Sequence, residues 1–112
     1  MSLTSNKVIN SNSLLFICKK AIQEIIPDAQ IILYGSRARG DAQIDSDYDL
    51  IVLVKEPVNW QLERIINDRL YIIELETDTL LSTQIIPLAM WNSPVFRAQP
   101  FVQNVMREGI RI

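Results

Sequence analysis

The chain has 112 residues, of which 48% are apolar and 21% charged, and its net charge is −2 with a pI near 5.0. These values fit one globular domain with its own core, and they provide no basic surface of the kind that favours nucleic acid. The sequence contains no histidine, which excludes His-based acid–base chemistry and His metal sites and leaves carboxylates, hydroxyls and hard cations.

The first residues, Met1–Asn12, are polar and lack the apolar region of a signal peptide. We expect them to form a flexible leader to a single domain spanning 1–112. No apolar run approaches the ~20 residues needed to cross a bilayer, so the sequence predicts a cytoplasmic protein without membrane contact. From Ser13 to Pro27, apolar residues recur at helical spacing, and the single cysteine, Cys18, is predicted to pack in the core.

A short β-rich run, Gln30–Tyr34, ends at Gly35, and Ser36 is predicted to open a short helix. Glycine lets a ligand approach the backbone closely, and the first amides of a helix together with the Ser36 hydroxyl favour phosphate. Arg37 and Arg39 are two residues apart, so only one should face the ligand; we expect Arg37 to contact phosphate and Arg39 to be a surface charge. Taken alone, Gly-Ser after a strand is more often an ordinary turn.

Two aspartates, Asp47 and Asp49, stand at the head of the next predicted strand, Tyr48–Val54, which is nearly all apolar after Asp49. Residues two apart on a strand face the same side, so both carboxylates can share one Mg²⁺ or bridge two metal ions, whereas Tyr48 should point into the core. Without a cation the two carboxylates would repel each other. The alternative is a solvated acidic turn that precedes the strand.

A calcium-binding loop is a competing interpretation of the same region. Asp45, Asp47, Asp49 and Glu56 match acidic positions of such a loop. The sharp turn of the loop requires glycine where this chain has Leu50, and the residues that follow favour a strand. We therefore reject a calcium loop.

The remaining predicted elements are a helix from Trp60 to about Leu75, a strand Thr79–Ile86 closed by Pro87, a turn at Ser93-Pro94, and a helix Pro100–Glu108 stopped by Gly109. The apolar residues predicted to face inward on the first of these helices are Leu62, Ile65, Ile66, Leu70 and Ile73. The order of helix, strand, strand, helix, strand, helix predicts an α/β (α+β) sandwich around a small sheet.

Gly35-Ser36, ten intervening residues, and Asp47-x-Asp49 form a motif within Gly-Ser-Arg-Ala-Arg-Gly and Ser-Asp-Tyr-Asp-Leu. This motif resembles the signature of the nucleotidyltransferase superfamily that includes DNA polymerase beta. The resemblance is closer to the small, stand-alone minimal nucleotidyltransferase (MNT) domains. The motif covers 34–54, and the order of elements extends the likeness to most of the chain.

The resemblance implies a mixed sheet flanked by helices and transfer of a nucleoside monophosphate, with AMP expected, from ATP or another NTP to an acceptor hydroxyl. It also implies Mg²⁺ as cofactor and a separate helical HEPN-domain protein as partner, often as antitoxin with toxin; some such domains adenylylate a tyrosine of that partner. The implied site residues are Asp47 and Asp49 for metal and catalysis, and Gly35, Ser36, Arg37 and Ser46 for the nucleotide. The acceptor and any homo-oligomer stay open.

The family usually places a third carboxylate on the next strand, and here that strand contains no acid. Ser82 is one candidate for the place, although a neutral hydroxyl is a poor base and a weak metal ligand. Asp78 just before the strand is the other, although a turn or cap role suits it as well. The preceding helix also ends with two acids, Glu74 and Glu76.

The missing acid keeps open a second interpretation, a catalytically weak or inactive module that binds nucleotide or neutralises a HEPN-type partner by contact. Trp60, Trp91 and Phe96 are candidates for a partner surface, and core packing is their alternative role.

Overall fold

A computed structural model describes residues 11–112 of the chain, so the predicted leader lies outside the described residues except for its last two. Those two residues already belong to the first helix, which therefore begins before Ser13. The helices are α1 Ser11–Ile25, α2 Ser36–Arg39, α3 Trp60–Thr77, α4 Leu88–Trp91, α5 Pro94–Arg97 and α6 Pro100–Glu108; the strands are β1 Gln30–Tyr34, β2 Tyr48–Val54, β3 Leu81–Pro87 and β4 Ile110–Arg111.

The four strands form one mixed sheet in the order β3-β2-β1-β4. β1 pairs antiparallel with β2 and with β4, whereas β2 and β3 are parallel. β2 therefore has a partner on both sides, and all but one of its residues are buried, as its nearly continuous apolar sequence predicts. The predicted class, a small mixed sheet flanked by helices, is confirmed.

Helices cover both faces of the sheet, because side chains along β2 alternate between two cores. On one face, Leu50, Val52 and Val54 pack with α1 and α3, and the cluster includes Cys18 and Tyr48 as predicted. On the other face, Ile51 and Leu53 pack with Trp91, Val102 and Val105 of the C-terminal helices. Burial raises the pKa of the Cys18 thiol to about 11, as expected of a cysteine in a core.

Several predicted boundaries shift, and each shift has a local cause. α3 continues past Leu75 to Thr77, where the Thr77 hydroxyl donates to the Ile73 carbonyl and Asp78 caps the helix in the left-handed region. β3 begins at Leu81 rather than Thr79, because its parallel register with β2 starts there. Ile65 is wrongly predicted as inward, since its side chain is 53% exposed.

The short elements α4, α5 and β4 were not predicted. At the predicted Ser93-Pro94 turn, the Ser93 hydroxyl caps α5 by accepting from the Phe96 amide. β4 pairs with β1 directly after Gly109, where a Cβ would come within 2.5 Å of the Val105 carbonyl oxygen and 2.8 Å of Ile32. No helix in the described part of the chain is both long and apolar enough to span a membrane.

The three aromatic residues proposed for a partner surface have different environments. Trp91 is only 4% exposed and belongs to the core, with the Phe96 ring centroid 6.0 Å from its own. Trp60, at the start of α3, is 65% exposed. Core packing therefore accounts for Trp91 and Phe96 and leaves Trp60 as the exposed candidate.

We predict that Trp91→Ala lowers the free energy of unfolding by about 3–5 kcal/mol, because it removes a buried ring and leaves a cavity. The matched change Trp60→Ala should alter it by no more than about 0.5 kcal/mol, because most of the ring already contacts water. Urea denaturation followed by circular dichroism measures both. Equal losses in the two variants would contradict this assignment of the core.

Candidate functional site

The candidate site lies where the end of β1 meets the beginning of β2. Asp49 pairs in register with Tyr34, and Gly35 follows immediately. A Cβ placed on Gly35 would collide with the Asp49 carboxylate, with the carboxyl carbon only 3.3 Å away. Gly35 also has φ 74° and ψ −157°, a region that is essentially restricted to glycine. The glycine therefore allows the Asp49 carboxylate to lie directly against the backbone that leads into α2.

Ser36 opens α2, the four-residue helix that follows this glycine. The Ala38 and Arg39 amides donate to the Gly35 carbonyl, and the chain leaves the turn at Gly40, where φ is 85°. The amides that begin a helical turn have no intrahelical acceptor, and such groups attract anions. The sequence-predicted Gly35 and Ser36 are thus brought beside Asp49.

The Asp47 and Asp49 carboxylates lie close enough for their charges to interact. Burial raises the pKa of Asp49 most, the negative charge of Asp47 raises it further, and the positive charge of Arg39 lowers it. Asp47 itself is exposed. The negative charge of Asp49 is therefore unfavourable in this position, and a cation bound beside it would compensate for that charge.

Arg37 has structural contacts that the sequence did not reveal. Its guanidinium donates to the backbone carbonyls of Ser46, at 3.0 Å, and Ile44, at 3.1 Å. It also lies over the Tyr48 ring, 4.3 Å from the centroid. Arg37 thereby ties the loop before β2 to α2, and its contact with phosphate stays a prediction.

Arg39, which we predicted to be a surface charge, is half-exposed and lies close to several carboxylates. Its guanidinium is 3.2 Å from an Asp41 carboxylate oxygen and 3.9 Å from one of Glu108 on α6. It is also the cation whose charge lowers the Asp49 pKa. Two arginines on a four-residue helix cannot be distinguished by periodicity, so the sequence alone could not show which of them lies near the acidic pair.

Ser46, a predicted nucleotide contact, supports the loop between the two halves of the motif. Its hydroxyl accepts a hydrogen bond from the Gln43 amide at 2.9 Å, and its carbonyl accepts from Arg37. These bonds fix the residue immediately before Asp47. A direct contact between Ser46 and nucleotide stays a prediction.

Ser82 is the register partner of Asp49 on β3, so both side chains point to the same face of the sheet. Asp78 is the left-handed C-cap of α3, and the Glu74 carboxylate accepts from the Leu81 amide. Among residues 11–112, no cluster of three or more acidic, histidine or cysteine side chains could hold a metal ion. The position next to Asp49 is therefore a neutral hydroxyl.

A known protein family matches most of the chain. A family model described as a nucleotidyltransferase domain matches residues 17–110. A relative from Haemophilus influenzae, named as a probable protein adenylyltransferase MntA, is 37% identical over 46 residues, which cover 41% of this chain and 40% of the relative. The chain thus matches less than half the length of that relative.

Two solved structures share the fold. A toxin-antitoxin structure with AMP-PNP aligns with a TM-score of 0.57 at 20% identity, covering 91% of this chain and 72% of that chain. A toxin-antitoxin MntA-HpeT mutant gives a TM-score of 0.56 at 21% identity, covering 94% of this chain and 72% of that chain. These similarities extend over nearly the whole described chain.

We predict that Gly35→Ala is more destabilising than Gly40→Ala, although both glycines have positive φ. Nothing lies within 4 Å of a Cβ at Gly40, so alanine there costs only the backbone term of about 1–2 kcal/mol. At Gly35 the backbone region is less accessible to alanine and the new methyl meets Asp49, which together should cost about 3 kcal/mol or more. Chemical denaturation of both variants measures the difference, and equal costs would contradict the close contact.

We predict that Asp49→Asn stabilises the metal-free protein at neutral pH. The folded-state pKa of Asp49 is raised, so the ionised carboxylate lowers the stability of the folded wild type. This loss of stability is absent below the unfolded-state pKa and complete above the folded-state pKa. The stability advantage of the variant should therefore grow as the pH rises above about 4 and become constant above the folded-state pKa of Asp49. Urea titrations in EDTA measure it, with Asp45→Asn as the exposed control, and an advantage that shrinks as the pH rises would contradict the shift.

Proposed function

The chain belongs to the nucleotidyltransferase domain family, and from this premise we propose that it transfers AMP from ATP to a hydroxyl group of a protein partner. The observation that carries the proposal is the contact between Gly35 and the Asp49 carboxylate. This contact places the turn that begins α2, a candidate phosphate site, beside the acidic pair, which is a candidate metal site. A metal-bound triphosphate requires both sites close together. The name of the Haemophilus relative, a protein adenylyltransferase, supports AMP as the group transferred.

Asp47 and Asp49 would hold Mg²⁺. Their oxygens are the hard donors that this cation prefers, and Mg²⁺ commonly takes one or two carboxylates and completes its shell with water and substrate phosphates. The raised pKa of Asp49 reflects an unfavourable negative charge in this position, and a bound cation would relieve that cost. When bound, Mg²⁺ neutralises phosphate charge and orients the triphosphate for in-line displacement.

Ser36 and the first amides of α2 would bind the phosphates, with Arg39 as the nearby cation. We assign this role to Arg39 rather than Arg37, because Arg39 lines the same cleft as Gly35 and its charge acts on Asp49, whereas the guanidinium of Arg37 contacts loop carbonyls and the Tyr48 ring. Asp41 and Glu108 orient the Arg39 guanidinium beside Gly35. A positive charge there compensates for the negative charge that develops as pyrophosphate leaves.

The acceptor we propose is a tyrosine hydroxyl. The phenolic oxygen forms a bond to the α-phosphorus, the bond between that phosphorus and the oxygen bridging to the β-phosphate breaks, and pyrophosphate leaves. The phenolic proton is lost to solvent. A phenol, with a pKa of about 10, ionises far more readily than an aliphatic hydroxyl, which suits a site where Ser82 replaces a carboxylate base.

The partner we propose is a separate helical HEPN-domain protein, with this chain as the antitoxin of the pair. The fold is shared with solved toxin-antitoxin structures, which supports a toxin partner. We place the reaction in the cytoplasm, because the single cysteine is free and buried, as is typical of proteins in a reducing compartment.

A second candidate function is neutralisation by contact alone, and Ser82 beside Asp49 is the observation that favours it. A site with two carboxylates can hold metal and nucleotide while turning over slowly. The two functions differ in whether the acidic pair is needed for neutralisation.

To test the transfer, the protein is incubated with α-labelled ATP, Mg²⁺ and the protein encoded beside it in the genome. We predict label on a tyrosine of that protein, and a loss of at least about 100-fold in rate for the double variant Asp47→Asn, Asp49→Asn. The matched control is the double variant Asp28→Asn, Asp68→Asn, which removes two exposed acids far from the motif. Labelling that persists in the first double variant would reject the assigned roles.

Co-expression separates the two functions. If transfer neutralises the partner, the Asp47→Asn, Asp49→Asn variant fails to rescue growth although it remains folded. If that variant rescues growth as well as the wild type, contact is the function and transfer is not required.

A further inference from the structure

A cleft opens beside the acidic pair, between the β1–α2 junction and α6. Its volume is about 210 Å³. Its walls include Tyr34, Gly35 and Arg39 on one side and Phe101, Asn104 and Glu108 on the other. Gly35 and Arg39 thus belong both to this cleft and to the surroundings of Asp49.

The volume of the cleft limits what it can bind. Pockets for complete drug-sized ligands measure roughly 300–1,000 Å³, so this cleft suits one part of such a ligand. A flat heterocycle joined to a larger polar group that lies outside is one such part. Because Gly35 lines one side of the cleft and α6 lines the other, a ligand anchored at Gly35 by phosphate can extend toward α6.

An aromatic ring forms part of the cleft wall. Phe101 contacts Tyr34 edge-to-face, with ring centroids 5.5 Å apart and an interplanar angle of 86°. The Tyr34 hydroxyl accepts from the Gln84 side chain at 3.2 Å, which fixes the tyrosine and hence the orientation of its partner. Phe101 remains 36% exposed, so an aromatic ligand can still reach it.

The polar groups of the cleft differ between its two sides. The Glu108 carboxylate, at the far side of Arg39, disfavours phosphate near α6 but accepts hydrogen bonds from an amino group. Asn104 is positioned by Arg107, which donates to its side-chain oxygen at 2.6 Å and leaves its amide group as a donor. A donor and an acceptor side by side can hydrogen-bond to the edge of a nucleobase.

We propose that this cleft is the nucleobase subsite of the protein, in which the base stacks on Phe101 and hydrogen-bonds to Asn104 and Glu108. The inference rests on the proposed function and adds that α6 makes the chain selective for nucleoside triphosphates. An amino-bearing base such as adenine is favoured over uracil, which presents a carbonyl oxygen where adenine presents an amino group.

Calorimetry with Mg²⁺ and three probes, ATP, UTP and inorganic tripolyphosphate, tests the proposal. The wild type should bind ATP more tightly than either of the other probes. Phe101→Leu, which keeps an apolar side chain but removes the ring, should weaken ATP binding by about fivefold or more and leave tripolyphosphate binding unchanged. Phe16→Leu on α1 is the matched control and should change neither.

The outcomes distinguish failure of this inference from failure of the proposed function. If the wild type binds tripolyphosphate as tightly as ATP, or if Phe101→Leu weakens both probes equally, the nucleobase subsite is wrong although the phosphate site stands. If the wild type binds none of the probes, or if Asp47→Asn with Asp49→Asn does not weaken tripolyphosphate binding, the phosphate and metal site itself is wrong. Thermal unfolding of each variant verifies that it is folded at the assay temperature.

Discussion

The close contact between the Asp49 carboxylate and Gly35 determines how the rest of the site is built. A side chain at Gly35 would occupy the space of the carboxylate, and the backbone there adopts a conformation that other residues avoid. The end of one strand and the head of its neighbour can therefore approach to atomic contact. The turn that begins α2 therefore lies beside the acidic pair.

The sheet connects this contact to the rest of the fold through the alternation of side chains along β2. Asp49 is followed on the same face by Ile51 and Leu53, which pack under the C-terminal helices, while the intervening residues pack under α1 and α3. A single strand thus supplies both the acid and the core that anchors it. Because α6 lies on the face of Asp49, the last helix of the chain borders the site.

Much of this could be predicted from sequence, because the signals were local and repeated. The apolar run after Asp49 predicted a central strand, which the structure has. Asp47 and Asp49 are separated by one residue, and the shared face inferred for their carboxylates stays a prediction, because Asp47 lies just before the strand. The Gly-Ser pair predicted a turn suited to phosphate, and the resemblance to MNT domains predicted the mixed sheet. The family match and the shared fold confirm the family and the fold class.

The remaining features depend on contacts between distant parts of the chain. A four-residue helix has too few residues for periodicity to separate Arg37 from Arg39, and their roles follow from carbonyls and carboxylates that only the folded chain brings near. β4 has only two residues and therefore shows no alternation. It follows Gly109, where the absence of a side chain allows the end of α6 to pack closely against Ile32 of β1. The contact of Phe101 with Tyr34 joins residues more than half the chain apart.

The hydrogen bonds from Arg37 to the Ile44 and Ser46 carbonyls restrain the polar loop between α2 and β2. The arginine side chain spans a limited distance from α2, so these bonds favour a loop of the present length between the turn and the acids. A surface loop normally tolerates insertions at little cost, but an added residue here would disturb the hydrogen bonds that hold the residue before Asp47. Engineers seeking a site for an inserted tag should therefore avoid this loop, however exposed it is.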